Sequence, residues 1–193
     1  MGGYCQPTII CLNVTRLETQ AQQEILMGSK KLYIFRHGKS DWKAKFKNDH
    51  ERPLAERGIE ASKNIGAHLQ KVGQSPESVI SSSAKRAMDT ALLAMEFGQW
   101  QSTMTSTRDL YLSSVEETIE LIQKIHTDEK RVMIVSHEPL CSSLVSELTM
   151  GGHVKFPTAS VARIDFKVDS WADIDSDKGQ LAWLLTPKSI FGG

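Results

Sequence analysis

The sequence has no excess of either charge, because 23 Lys and Arg residues balance 23 Asp and Glu residues among its 193 positions. Domains that bind nucleic acids usually carry a basic excess, so this balance predicts that no nucleic acid is a partner. The sequence also lacks a run of about 18 apolar residues, the length that a membrane-spanning helix needs, and therefore predicts no membrane partner. Its 40% hydrophobic and 24% charged fractions are typical of a globular protein.

Cysteine is scarce, since Cys5, Cys11 and Cys141 are the three cysteines of the chain. An odd and sparse set argues against a disulfide framework and predicts a cytoplasmic location or another reducing compartment. The spacing of these cysteines matches no metal-binding motif, and the sequence contains no P-loop pattern. We therefore expect neither a metal nor another cofactor.

Residues 1–26 lack the helical or strand periodicity of the rest of the chain. They match a secretory signal poorly, because a basic start and a long apolar segment are missing, and a transit peptide poorly, because Glu18 and Glu24 offset Arg16. We expect a flexible N-terminal extension rather than an ordered element packed on the domain, followed by a single domain over residues 27–193. The role of the extension and the oligomeric state stay open at this level.

Apolar, strand-like runs alternate with helical patterns from Lys31 onward, which predicts an α/β domain with a mostly parallel central sheet. Ser114 and Glu117 form a capping box ahead of the clearest amphipathic helix. The predicted strands cover residues 32–35, 78–81, 102–107, 132–135, 161–168 and 180–186, and the predicted helices cover residues 61–72, 84–97, 115–125 and 139–148.

Two of these strands run directly into a histidine. Residues 32–35 lead to Arg36 and His37, and residues 132–135 lead to His137. In open parallel sheets, ligands bind beyond the carboxyl ends of the strands, so we expect both histidines to lie in one crevice.

A third segment is expected at the same edge. After Ser82 and Ser83, the helix that follows carries Arg86 in its first turn. The backbone N–H groups of a helix start and a guanidinium together favour an anion. Two histidines and two arginines at strand ends predict a phosphate pocket better than a metal site.

These residue types suit phosphoryl transfer. A neutral imidazole is a competent nucleophile toward phosphorus, and a covalent phosphohistidine divides one displacement into two easier steps. Arg36 and Arg86 would neutralise the equatorial oxygens of the transition state, and His137 would bind a further oxygen. Gly38 would allow the backbone to approach the phosphoryl group without a Cβ.

The chain resembles the histidine phosphatase (phosphoglycerate mutase-like) superfamily, and within it the SixA-type phosphohistidine phosphatases. The resemblance extends from residue 31 to about residue 187. Ser136 stands where this subgroup commonly has Gly, and Ser83 where it commonly has Pro. The matching blocks, in the order of the family, are residues 36–42 (RHGKSDW), 49–54 (DHERPL) with 57–58 (RG), 82–87 (SSAKRA) with Thr90, and 135–139 (VSHEP).

The resemblance implies a three-layer α/β/α sandwich and a metal-independent phosphatase. It implies that His37 is the phosphorylated nucleophile and that Arg36, Arg86 and His137 bind the phosphoryl group. It further implies that Arg52 adds another cation, although nearby acids offer this arginine a purely structural salt bridge.

Many members of the superfamily that cleave phosphate esters carry a Glu acid in a Leu-x-Glu segment, whereas residues 109–112 here read Asp-Leu-Tyr-Leu. An alkoxide leaving group needs a proton from such an acid, but a phosphohistidine already protonated on its other ring nitrogen can leave as neutral imidazole. The missing Glu therefore favours phosphohistidine in a protein as the substrate. Asp109, Glu116 or Asp41 remain alternative proton donors.

Two other specificities compete with this interpretation. One is a small-molecule phosphomonoesterase or mutase-like enzyme acting on a small phosphorylated substrate, and the other is a non-catalytic phosphate-binding scaffold. We expect His50, which follows a polar loop, to be solvated, and Trp42 either to cover the mouth of the pocket or simply to pack.

Overall fold

A computed structural model describes residues 29–126 and 128–192, so the extension expected over residues 1–26 lies outside the described residues. Its centre is a six-stranded sheet in the order β3-β2-β4-β1-β5-β6. The strands are β1 (Lys30–Arg36), β2 (Ser78–Ser82), β3 (Thr103–Thr107), β4 (Arg131–Ser136), β5 (Val161–Phe166) and β6 (Gln180–Leu185).

The sheet is mostly parallel, as the sequence predicts. Strand β1 pairs in parallel with β4, and β2 pairs in parallel with both β3 and β4. Strand β5 is the exception, since it runs antiparallel to β1 and to β6. The register pairs Arg36 of β1 with Ser136 of β4, so the two strands end side by side and the residues that follow them become neighbours.

Helices cover both faces of this sheet, which confirms the three-layer α/β/α sandwich. The side chains of β1 alternate between two apolar cores, with Leu32 and Ile34 in one and Tyr33 and Phe35 in the other, as the two-residue period of a strand requires. The helices are α1 (Glu56–Lys71), α2 (Lys85–Gly98), α3 (Val115–Gln123), α4 (Leu140–Leu148) and α5 (Pro187–Phe191).

Helices α1 and α2 pack in the core that contains Tyr33 and Phe35, whereas α3 and α4 pack in the core that contains Leu32 and Ile34. The predicted capping box is present, because Ser114 accepts from the N–H of Glu117 and the Glu117 carboxylate accepts from the N–H of Ser114. Short helix α5 has no counterpart in the sequence-based prediction. In the part of the chain that the structure describes, no helix is both long and apolar enough to cross a membrane.

Helices α1 and α2 approach each other closely at Gly66. A Cβ at this position would overlap the backbone of Ala94, with the Ala94 Cα only 2.6 Å away. Ala87, Ala91 and Ala94 are the buried side chains that α2 contributes to the shared core, so this helix presents small residues to its neighbours. These small residues allow the backbones of α1 and α2 to approach each other closely.

We expect Gly66→Ala to lower the free energy of unfolding by about 1–3 kcal/mol, because the added methyl group overpacks a rigid backbone contact. Urea unfolding would measure the change. The control is Ala67→Ser on the exposed face of the same helix, for which the change should stay within about 0.5 kcal/mol. Unchanged or increased stability of Gly66→Ala, as helix propensity alone would give, contradicts the packing argument.

Candidate active site

The two predicted histidines lie next to each other at the carboxyl edge of the sheet. His37 follows β1 and His137 follows β4, and their ring centroids are 5.0 Å apart. The backbone N–H of His37 donates to the carbonyl of Ser136 at 3.0 Å, so the parallel pairing continues to the histidines themselves. The structure therefore brings together the pair that strand patterning placed in one crevice.

His37 is buried, with 8% of its surface exposed, and its Nδ1 lies 2.6 Å from the carbonyl oxygen of Gly38. A carbonyl only accepts, so Nδ1 donates its proton, and Nε2 of the neutral ring carries the free lone pair. Burial lowers the pKa of His37 to about 4; the Gly38 carbonyl opposes this shift, and the Arg86 and Arg36 charges add to it. At neutral pH the imidazole is uncharged and available as a nucleophile.

The His137 ring is likewise neutral. Burial, followed by the influence of His37 and Arg86, lowers the pKa of His137 to about 3. Its Nε2 lies 2.8 Å from Oγ of Ser82, which also accepts from the N–H of Ala84 at 3.4 Å. The hydroxyl can therefore donate to Nε2, which leaves Nδ1 as the protonated nitrogen; Nδ1 is buried and has no partner among the described residues.

Gly38 connects the His37 loop to two helices. Its N–H donates to Oγ1 of Thr90 at 2.9 Å, and Thr90 donates in turn to the carbonyl of Arg86 at 2.6 Å. A Cβ at Gly38 would lie 2.7 Å from the carbonyl oxygen of Gly58 in α1. The glycine is thus required by the packing of α1 against this loop, a reason that local sequence does not reveal.

The arginines differ in their environment. Arg36 donates from Nη1 to the carbonyl of Phe156 at 2.6 Å, and its Nε is buried without a partner among the described residues. Arg52 and Arg86 are nearly inaccessible, with 6% and 5% of their surfaces exposed. Arg52 also donates to Oγ of Ser40.

Asp49 joins the two buried arginines. Its Oδ1 lies 2.9 Å from Nη2 of Arg52, and its Oδ2 lies 3.1 Å from Nη2 of Arg86. Arg86 donates a second bond from Nη1 to the backbone carbonyl of Asp49, at 2.7 Å. Burial raises the pKa of Asp49, but the hydrogen bond from Arg52 and the charges of both arginines outweigh it, so the pKa lies below its usual range. The carboxylate is therefore charged at neutral pH.

Asp49, His50 and Tyr111 also contact this pocket, although the sequence does not predict them as site residues. In the sequence, Asp49 and His50 stand out only as part of the block of residues 49–54, and Tyr111 only as part of residues 109–112, the segment without Glu. Tyr111 donates to Oδ2 of Asp49 at 3.3 Å, and its ring lies edge-on to those of His50 and His137, at centroid distances of 4.8 and 5.7 Å.

The expectation that His50 is solvated is wrong, because its Nε2 lies 2.9 Å from Oγ of Ser83 and its ring packs on Tyr111. Trp42 is 66% exposed and its ring covers the guanidinium of Arg52 at 3.7 Å. The single signal that pointed to His50 was its position between Asp49 and Arg52 in one short block.

The three alternative acids bond to other groups or are exposed. The carboxylate of Asp109 accepts from Oγ1 of Thr107 at 2.9 Å, Glu116 is exposed on α3, and Asp41 accepts from the N–H of Lys43 at 2.8 Å. Within residues 29–126 and 128–192, none of the three bonds to the paired histidines or to the site arginines. No group of three or more His, Cys, Asp or Glu side chains in that part is arranged to hold a metal ion.

Comparison with known proteins agrees with this geometry. Residues 32–111 match the family model described as the histidine phosphatase superfamily (branch 1), a segment that contains His37, Arg52 and Arg86. An uncharacterised protein of Mycobacterium leprae is 27% identical over 165 residues, which cover 79% of this chain and 99% of that protein.

Two solved structures share the fold. The structure of the protein histidine phosphatase SixA with tungstate has a TM-score of 0.72 and 23% identity, covering 83% of this chain and 99% of that one. A mycobacterial glucosyl-3-phosphoglycerate phosphatase has a TM-score of 0.59 and 15% identity, covering 80% and 97%. Over residues 32–111 the chain is therefore similar to the histidine phosphatase superfamily, and it shares the fold of these two phosphatases.

Proposed function

We propose that the protein is a SixA-type phosphatase that removes the phosphoryl group from phosphohistidine in proteins, through a covalent intermediate on His37 and without a metal. The observation that carries this proposal is that the Asp49 carboxylate of the pocket is ionised and paired with arginines. Asp49 is held between two arginines with a lowered pKa, so it is a poor proton donor. The site therefore suits a leaving group that departs without a new proton.

In the first step, Nε2 of His37 attacks phosphorus while the bond from phosphorus to the substrate nitrogen breaks, and the electron pair of that bond stays on the leaving imidazole. In the second step, the oxygen of a water molecule bonds to phosphorus while the bond from phosphorus to Nε2 of His37 breaks; the electron pair of that bond returns to Nε2, the water proton passes to an oxygen of the phosphoryl group, and inorganic phosphate is released. The Nδ1–H bond to the Gly38 carbonyl holds the ring in one tautomer and stabilises the positive charge that the ring gains in the intermediate.

Arg36, Arg52 and Arg86 would neutralise the oxygens of the transferred group, with Nδ1–H of His137 as a further donor. The buried, unpartnered nitrogens of the site support this role, since Nε of Arg36, Nε of Arg86 and Nδ1 of His137 have no acceptor among the described residues. A bound phosphoryl group would supply acceptor oxygens in this pocket. With this density of cationic groups, charge neutralisation does not depend on a divalent ion.

A small-molecule phosphate ester is the second candidate. The hydroxyl of Tyr111 reaches the pocket and could protonate an alkoxide, and one structural neighbour is described as acting on glucosyl-3-phosphoglycerate. In the described structure, however, that hydroxyl donates to Asp49. A scaffold without activity is disfavoured, because a binder has no need of a buried histidine whose lowered pKa exposes a nucleophilic lone pair.

We expect kcat/KM for a phosphohistidine peptide to exceed that for simple phosphate monoesters by at least about tenfold, because only the ester needs a proton donor. Phosphate release from both substrates, measured side by side with one preparation, checks this. Preference for the ester would reject the proposed specificity in favour of the small-molecule candidate. Turnover of neither substrate, with phosphate still bound, would favour the scaffold.

Rapid quenching with labelled substrate in the presence of EDTA should trap an acid-labile, base-stable phosphoryl group on wild-type protein and none on His37→Ala. Loss of turnover in EDTA would contradict the metal-independent step.

Because the pKa of His37 is lowered in the folded protein, kcat/KM should persist below pH 6.5 and fall only as the pH is reduced through about 4. A fall in kcat/KM near pH 6.5 would contradict the buried neutral nucleophile.

Asp49→Ala should raise KM and lower kcat/KM by about tenfold or more, since Arg52 and Arg86 lose the ligand that orients both of them. Asp49→Asn, which keeps the shape and one acceptor, should lie between the alanine variant and wild type. Asp89→Asn is the matched control, because its carboxylate pairs with Lys85 on the exposed face of α2. If Asp49→Ala behaves like Asp89→Asn in steady-state kinetics, Asp49 is not a positioning residue.

A further inference from the structure

A second concave site lies beside the His37 loop and is strongly cationic. It is a cavity of about 490 Å³ between that loop, the first turn of α1, the segment before β5, and α5. Lys39, Arg57 and Lys188 line it from three different segments, together with Asn64, Thr158 and Phe191, and no carboxylate is among the lining residues.

Within the described residues, Lys39, Arg57 and Lys188 form no ion pair, and no acidic side chain lines the cavity beside them. Gathering like charges in one cavity is unfavourable unless an anion binds there, so the arrangement indicates an external anionic group.

The loop that carries His37 also forms one wall of the cavity. Lys39 follows His37 by two residues, and its carbonyl accepts from the N–H of Ala55 at 2.8 Å, just before α1. On the opposite wall, Thr158 precedes Ala159, whose N–H donates to the carbonyls of Arg36 and His37 at 3.1 Å each. The cavity therefore adjoins the loop that carries His37.

The opposite side of the histidine pair has another character. A cavity of about 300 Å³ next to His137 is lined mainly by uncharged side chains, including Leu110, Val115 and Leu140. Lysine and arginine are absent from the described lining of this cavity, in contrast to the cavity of Lys39, Arg57 and Lys188. The asymmetry would orient a substrate that carries charge on one side of the phosphoryl group.

We propose that the cavity of Lys39, Arg57 and Lys188 binds a second anionic group, a carboxylate or a phosphate, on the same substrate. This inference rests on the proposed function and extends it to a substrate class: a phosphohistidine with acidic residues nearby in the folded or extended protein. A small molecule with a second phosphate has the same anionic chemistry, and the experiment separates the two sources.

The test variant is Arg57→Gln/Lys188→Gln, which removes two charges from the cavity and leaves the His37 loop intact. The matched control is Lys71→Gln/Lys124→Gln, which removes two exposed charges outside it. The substrates are a phosphohistidine peptide flanked by Asp and Glu, the same peptide flanked by Asn and Gln, a sugar bisphosphate and the corresponding monophosphate.

We expect the test variant to lose about tenfold or more in kcat/KM for the acidic peptide and to stay within about twofold for the neutral one, because one charged contact to a bound anion is worth roughly that factor. The control should treat both peptides as wild type does. If the loss occurs instead for the bisphosphate relative to the monophosphate, the second anion belongs to a small molecule. Equal losses for charged and neutral substrates would overturn the proposal.

Calorimetric titration with inorganic phosphate separates this proposal from that of catalysis. Wild-type protein should bind phosphate at two sites, and Arg57→Gln/Lys188→Gln at one. Two sites without turnover of any substrate would reject the proposed function and keep the anion site. A single site in wild type that persists in the test variant would reject the anion site, whatever the turnover.

Discussion

Two guanidinium groups lie almost fully buried at the carboxyl edge of the sheet, and the carboxylate of Asp49 contacts both of them. Burying a cation without a partner is costly, and burying two side by side is more so. Because Asp49 is itself half exposed, it balances this charge without filling the pocket. The positive charge that remains helps to keep His37 and His137 uncharged. The charge balance of the site therefore depends on Asp49, which stays ionised at neutral pH because its pKa is lowered.

The parts of the site that follow strands could be predicted from sequence. His37 and His137 each come directly after an apolar run, and parallel pairing of β1 with β4 makes such positions neighbours. Arg86 follows from the same logic, because it lies in the first helical turn after β2. In these cases a local pattern and one rule about sheets determine the position, and the side chain has little freedom to be elsewhere.

The parts built by loops could not be predicted in this way. Asp49 and His50 lie in a short 3₁₀ helix, and Tyr111 directly follows another, and all three meet only because distant segments fold over the same edge. The same limit applies to α5, which is five residues long and too short to show periodicity. The need for glycine at positions 66 and 38 could not be predicted either. At each position a backbone segment distant in the sequence leaves no room for a side chain.

The hydrogen bond from Nδ1 of His37 goes to a main-chain carbonyl of the adjacent residue, not to an aspartate or glutamate as in many histidine-dependent enzymes. A peptide carbonyl has no titration of its own, and no substitution at position 38 can delete its oxygen. The orientation of the His37 ring thus depends on a main-chain acceptor that keeps the same proton state across the whole pH range of the protein.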